Sequence, residues 1–207
     1  MSKGTLYIIS APSGAGKTSL VRALIETTPE ITVSVSHTTR SQRPGEIQGE
    51  DYYFVTLIQF RKMLDENGFL EYAEVFENCY GTAREPVSLA LAEGQDVILE
   101  IDWQGAQQVR KIMADSRSIF ILPPSRETLQ SRLCRRGQDS EEVIARRMGN
   151  AKNEISHYDE YDYLIVNDDF QQALNELKSV ILCGRMQREE QQERLKDLLM
   201  ELLRNGK

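Results

Sequence analysis

The sequence predicts an α/β fold, a parallel sheet core flanked by helices, with an inserted antiparallel lobe and a small helical lid. Three observations predict it. The stretch Ala11 to Thr18 is a Gly-rich turn set between a wholly apolar run and a segment of helical spacing. Three later apolar runs, Val97 to Ile101, Ser118 to Leu122 and Tyr163 to Val166, are each followed by helical spacing, the alternation of parallel strands with crossover helices. Between Thr32 and Thr82 the grain changes to short apolar runs around turns.

Leu6, Tyr7, Ile8 and Ile9 form a continuous apolar run, as in a strand buried on both faces. Lys17 to Thr27 carries Leu20, Val21, Leu24 and Ile25 at helical spacing, and Pro29 prevents continuation. Val33, Val35, Tyr52 to Val55 and Phe69 to Phe76 read as short strands of the inserted lobe, with one helix from Thr56 to Asn67. A polar stretch near Gly137 to Glu142 is a second insertion. Both flank the end of the sheet where the Gly-rich turn sits, so they read as a substrate lobe and a lid. After Phe170 the residues Leu174, Leu177, Val180 and Ile181 keep helical spacing, and Leu195, Leu198, Leu199 and Leu202 do so again beyond the charged stretch Gln187 to Arg194. That amphipathic tail can lie on the same domain or on another subunit, so a homo-oligomer is one expectation.

A chain of 207 residues with 40% apolar and 28% charged residues has the size and composition of one compact domain with a full core. The net charge of -7 and the lack of a long basic tract exclude a nucleic-acid polymer as partner. Cys79, Cys134 and Cys183 are odd in number and without metal-ligand or redox spacing, which suits a reducing, cytoplasmic setting and a packing role. Leu6 to Ile9 is too short for a signal peptide or a membrane span, so no membrane partner is expected.

Ala11-Pro12-Ser13-Gly14-Ala15-Gly16-Lys17-Thr18 matches G-x-x-x-x-G-K-[ST] except at its first position, where Ala11 replaces Gly. The core is therefore of the P-loop NTPase type. Successive backbone N–H groups of such a turn converge on phosphate oxygens, and the following helix adds its positive end. Lys17 would neutralise the β- and γ-phosphates, and the Thr18 hydroxyl would ligate the Mg²⁺ that bridges them. A serine nucleophile elbow at Ser13 would need Gly at both Ala11 and Ala15, with only His37 and His157 as bases, and is set aside. His37 reads as loop structure, Trp103 as packing near a strand end, and His157 carries no signal.

Between Thr38 and Phe54, Arg40, Arg43 and Tyr52 share one Gly- and Pro-containing loop. Two guanidinium forks and a phenol can hold one phosphate. Glu100 and Asp102 alternate with Ile101, which in a strand puts both carboxylates on one face at the end of a buried run. Arg132 and Arg136 lie one helical turn apart, and Arg146 and Arg147 follow the polar segment.

From Thr38 through Phe54 the chain resembles the guanylate kinase family, matching T-T-R-x-x-R-x-x-E-x-x-G-x-x-Y-x-F at every fixed position. The phosphate loop, Tyr80-Gly81-Thr82, Asp102-Trp103-Gln104-Gly105, Pro123-Pro124-Ser125, Arg136-Gly137 and Val166-Asn167-Asp168-Asp169 extend the resemblance from Gly4 to Leu182. The resemblance implies transfer of the γ-phosphoryl of ATP to GMP, with Mg²⁺ as cofactor. It implies a catalytic domain over 4–182, with a GMP-binding lobe at about 35–90 and a lid at about 137–157, followed by a helical extension over 183–207. By position, Arg40, Arg43, Tyr52 and Tyr80 would hold the GMP phosphate, and Ser36, Glu71, Thr82 and Asp102 would surround guanine. Glu100, also on the GMP side, stands where family members commonly have aspartate. The loop from Ala11 to Thr18 with Arg132, Arg136 and Arg147 would hold ATP, and Lys17, Arg40, Arg136 and Arg147 would be catalytic. The base chemistry agrees, since guanine offers N1–H and N2–H donors to a carboxylate whereas adenine would leave it facing a lone pair. Domains of this type also serve as silent interaction modules, but Lys17 and Thr18 favour the enzyme.

Overall fold

The computed structural model describes residues 3–75, 77–135 and 141–204, and of residues 135 and 141–143 the backbone alone. In chain order the elements are β1 (Leu6–Ser10), α1 (Lys17–Thr27), β2 (Ile31–Val33), β3 (His37–Thr38), β4 (Tyr53–Phe54), α2 (Leu57–Asp65), β5 (Phe69–Val75), β6 (Asn78–Ala83) and α3 (Arg84–Ala92). There follow β7 (Asp96–Glu100), α4 (Trp103–Ile112), β8 (Arg117–Leu122), α5 (Arg126–Arg135), α6 (Glu141–Ile155), β9 (Tyr163–Val166), α7 (Phe170–Arg185), α8 (Arg188–Arg194) and α9 (Lys196–Leu202).

The first sheet is parallel, in the order β2-β7-β1-β8-β9. Its central strand β1 is buried along its whole length because both faces are covered. Tyr7 and Ile9 join Leu20, Leu24, Leu174 and Leu177 of α1 and α7 on one face. Leu6 and Ile8 join Val87, Leu91 and Val109 of α3 and α4 on the other. Arg185, at the end of α7, bonds the Asp96 carboxylate at 2.8 Å and the carbonyls of Pro29 and Glu30, while Asp96 also accepts from the Thr5 N–H at 2.7 Å.

The second sheet, β4-β3-β6-β5, forms the inserted lobe. Its β3–β6 and β5–β6 pairs are antiparallel, and β4 joins β3 in parallel at the edge. Thr56 starts α2 through a capping box with Gln59. Gly81 sits where a Cβ would lie 2.9 Å from the Phe69 ring, so glycine lets β6 pass under Phe60 and Phe69. The lobe is stitched to the core along β5, where Gln108 of α4 accepts from the Tyr72 N–H at 3.1 Å and donates to its carbonyl at 2.6 Å.

Several expectations change. Val33 belongs to β2, an edge strand of the parallel core rather than of the lobe, because Ile31–Val33 pairs with β7 from Asp96 to Ile98. Val35 lies between strands, and Phe76 is outside the described residues. The run Tyr163 to Val166 forms the expected parallel strand, at the edge of the sheet beside β8, with only Ile165 buried. Cys134 and Cys183 are exposed, so packing does not account for them. Helix α7 continues past residue 182 to Arg185, and the separate tail helices begin at Arg188. In the tail, Leu198, Leu199 and Leu202 are exposed. Among the described residues no helix is long and apolar enough to cross a membrane.

Candidate functional site

The loop from Ala11 to Thr18 leaves the end of β1 and enters α1, whose first-turn N–H groups have no intrahelical partner. Gly14 and Gly16 both take left-handed conformations, φ 95° and 94°, and the Ala15 N–H bonds the Pro12 carbonyl at 3.0 Å, which curls the turn. Behind the loop the buried Asn167 amide donates to the Ala15 carbonyl at 2.7 Å. Gly16 is where a Cβ would come within 2.4 Å of that amide, so the approach also requires glycine. Arg132 donates to the Asn167 carbonyl at 3.0 Å and to the Ala15 carbonyl at 3.5 Å, so its guanidinium supports the loop from the α5 side.

On the cavity side, the Thr18 hydroxyl donates to Glu100 at 3.2 Å, and the Lys17 ammonium lies 3.9 Å from the same oxygen. Glu100 thus stands at the foot of the loop, in contact with Lys17 and Thr18. The Ser13 N–H donates to Glu154 of α6 at 3.2 Å.

Across the cavity, Arg40 makes a two-pronged ion pair with Glu46, at 2.8 and 3.0 Å, and Glu46 also accepts from the Arg43 N–H at 2.8 Å. The hydrogen bonds from Arg40 hold the Glu46 carboxyl below its ordinary range. Arg40 lies 5.3 Å from the centre of the Tyr52 ring and 5.6 Å from that of Phe54, and Tyr52 meets Tyr80 edge-on at 6.0 Å. Burial pushes the Tyr52 phenol up, so it remains a donor. The Arg40 side chain is therefore ordered by a carboxylate and two aromatic rings rather than left to solvent.

Glu71 and Thr82 are buried side by side on β5 and β6, and the Thr82 hydroxyl donates to Glu71 at 2.5 Å. Burial raises the Glu71 carboxyl to about 7, against the lowering effect of the Thr82 hydrogen bond and with the Asp102 charge adding to the rise. A Cβ on Gly105 would lie 2.4 Å from Glu71 Oε2, so the start of α4 comes close only because that residue is glycine. Asp102 caps α4, accepting from the Gly105 N–H at 2.9 Å.

One cavity of about 350 Å³ is lined by Ala11, Ser13 and Lys17 of the loop, by Ser36, Arg43, Tyr52, Glu71 and Tyr80 of the lobe, by Glu100 and Asp102, and by Arg147, Asn150 and Glu154 of α6. Most of the residues expected at the site are thus brought together; Thr82 bonds Glu71 of the lining, Arg40 packs against Tyr52 while paired with Glu46, and Arg132 faces the Ala15 and Asn167 carbonyls. Arg136 and most of the expected lid segment near Gly137 to Glu142 lie outside the described residues. Four contributors carry contacts that their sequence neighbourhood does not signal. Asn167 and Glu154 reach the loop from distant elements. Glu46 is visible as a fixed acid of the signature, but its partner is not. His157, without signal in the sequence, stacks on Trp103 with ring centres 3.8 Å apart and bonds Glu160 at 2.7 Å, fixing the segment after α6 against α4.

A phosphate loop at the carboxyl end of a parallel sheet, sharing one cavity with an inserted lobe that carries an arginine, tyrosines and a buried carboxylate, has the arrangement of a P-loop nucleoside monophosphate kinase. The guanylate kinase family model matches residues 3–183. The chain is 59% identical to a guanylate kinase of Pseudomonas fluorescens (strain Pf0-1), covering 98% of both chains. It is 58% identical to a guanylate kinase of Escherichia coli (strain K12), over 98% of this chain and 99% of the other. A crystal structure of guanylate kinase from Anaplasma phagocytophilum superposes with TM-score 0.77 at 34% identity, covering 90% of this chain and 89% of that one. The chain belongs to the guanylate kinase family.

Proposed function

We propose that the chain transfers the γ-phosphoryl of ATP to GMP, giving ADP and GDP. The observation that carries this reading is the single cavity shared by Ser13 and Lys17, by Arg43, Tyr52 and Tyr80, and by Glu71 with Asp102. In it the GMP phosphate is held by Arg40, Arg43, Tyr52 and Tyr80, and its oxygen attacks the γ-phosphorus in line without a covalent enzyme intermediate. Glu46 keeps the Arg40 fork oriented before substrate arrives. Ser36, Glu71, Thr82 and Asp102 read the guanine edge, the carboxylates accepting from N1–H and N2–H.

Donor charge falls on Lys17, the loop N–H groups and the start of α1, while Arg132 and Asn167 keep the loop in shape. Arg136 and Arg147 are the cations of a lid at about 137–157 that closes with the lobe at about 35–90 and excludes water. Of the expected tail over 183–207, the helices from Arg188 onward lie outside this catalytic unit.

Mg²⁺ accompanies ATP in this reading. The Thr18 hydroxyl and the Glu100 carboxylate, 3.2 Å apart beside Lys17, are hard oxygen donors that fit it. Among the described residues no group of three or more His, Cys, Asp or Glu could hold a metal unaided, and these two oxygens would hold the ion together with the nucleotide phosphates. When bound, the ion neutralises charge on the transferring phosphoryl.

Steady-state turnover with MgATP and each nucleoside monophosphate tests the assignment. GMP should exceed AMP in kcat/KM on the order of ten-thousandfold, because adenine leaves buried polar groups unpaired. Comparable turnover of AMP or UMP would overturn the base pocket. Lys17→Met should abolish turnover while leaving the circular dichroism spectrum unchanged.

A further inference from the structure

Glu154 is a carboxylate standing where the donor's terminal phosphoryl is expected. It sits in the last turn of α6, half-buried, and its Oε2 accepts from the Ser13 N–H at 3.2 Å. Ser13 lies at the outer end of the loop and lines the same cavity as Arg43, Tyr52 and Asp102. In an in-line transfer the migrating phosphoryl must lie between the rest of ATP and the acceptor phosphate. Ser13, which borders the acceptor cavity together with Ala11 and Lys17 and stands ahead of the two glycines of the turn, is therefore placed on the γ side, whereas the N–H groups at the start of α1 serve the phosphates nearer the nucleoside. A carboxylate and a phosphoryl oxygen are both acceptors and both anionic, so one N–H and one small volume cannot serve them together.

We propose that Glu154 is a specificity-determining residue of the donor site, a phosphoryl surrogate carried on α6 that a nucleoside triphosphate must displace and a nucleoside diphosphate need not. The inference rests on the donor-site reading above. Its surroundings make displacement feasible. Burial holds the Glu154 carboxyl above its ordinary range, the hydrogen bond from Ser13 opposes that rise, the Asp102 charge adds to it and Lys17 counters it. Asp102 already repels the carboxylate, so giving up the Ser13 N–H relieves a like-charge contact as well as freeing the site. Because Glu154 belongs to the helix that also carries Arg147, its departure couples arrival of the third phosphoryl to the position of that helix.

Equilibrium titration of the full chain, without GMP, with the non-hydrolysable ATP analogue AMP-PNP and with ADP tests this in wild type, Glu154→Gln and Glu154→Ala. Gln keeps size and an acceptor oxygen without the charge; Ala removes both, and thermal melts confirm that each variant is folded. The expected result is AMP-PNP bound about 5- to 10-fold more tightly in both variants, with ADP within about twofold of wild type, a coupling in the ordinary range. KM for ATP should fall in parallel. Equal shifts for both nucleotides, or weaker AMP-PNP binding, would overturn the proposal and make Glu154 a general binding or structural residue. Failure of the kinase reading would show separately, as absence of GMP turnover in wild type.

Discussion

Burial raises the Glu71 carboxyl from an ordinary 4.5 to about 7. Since the folded value lies above the unfolded one, the folded chain holds the extra proton between them. Its contribution to stability is complete below about 4.5 and is lost as pH rises through about 7. Glu71→Gln, which cannot ionise, should therefore raise the melting temperature of the nucleotide-free protein at pH 8, with a smaller gain near pH 5. The same change should raise KM for GMP by about 10- to 100-fold, the scale of a lost charged hydrogen bond. For the wild type, KM for GMP should rise as pH falls below about 7, because the neutral acid accepts less well from the base. Glu46→Gln should raise KM for GMP by about tenfold by releasing Arg40, with KM for ATP little changed. Arg40, Arg43 and Tyr52 were legible in the sequence because one short loop carries them. Glu71 was legible only through the family resemblance, and Asp102 by its alternation with Glu100 as well, since separate elements deliver them. Contacts such as Asn167 to Ala15, 152 positions apart, and Ser13 to Glu154, 141 apart, leave no local pattern.

At the scale of elements, the phosphate loop depends on a side chain from the turn between β9 and α7. Asn167→Ala removes the 2.7 Å bond to the Ala15 carbonyl and leaves a buried acceptor with only the longer Arg132 contact. The expected cost is about 1–3 kcal/mol in urea unfolding, accompanied by a higher KM for ATP, because the loop loses its preset curl. A stability loss with unchanged KM would show that the loop holds its shape unaided. The strand, loop and helix of β1 and α1 were legible from the sequence, since burial on both faces removes polar residues and 3.6-residue spacing marks the helix. Short strands were harder. Ile31–Val33 flanks the sheet, where a strand takes its place from its one neighbour rather than from its own pattern.

Over the whole molecule, the parallel sheet aims the ends of β1 and β7 at one cavity, and the lobe inserted between β2 and β7 brings the acceptor side to meet them. Arg185 closes this arrangement from behind through Asp96 and the carbonyls of Pro29 and Glu30. Arg185→Ala should destabilise the chain by about 3 kcal/mol in urea, because Asp96 stays buried with its charge partner gone. Both KM values should stay within about twofold of wild type, since the clamp is remote from the cavity. The insertion itself was legible as a change of grain, whereas its attachment was not.

The seam along β5 gives the lobe a hinge post. Glu71 rests against Gly105, and Gln108 brackets the backbone of Tyr72, so this margin is fastened to α4. The opposite margin, β4 and the loop carrying Arg40 and Arg43, reaches the rest of the lobe through β3, and on closure it should swing like the free stile of a door. Spectroscopic labels on Gln42 and Lys111 should therefore move together when GMP binds, while a pair on Glu74 and Lys111 should hold its separation. The base would then be read at the axle, where little moves, and the phosphate gripped at the rim, where the stroke is longest.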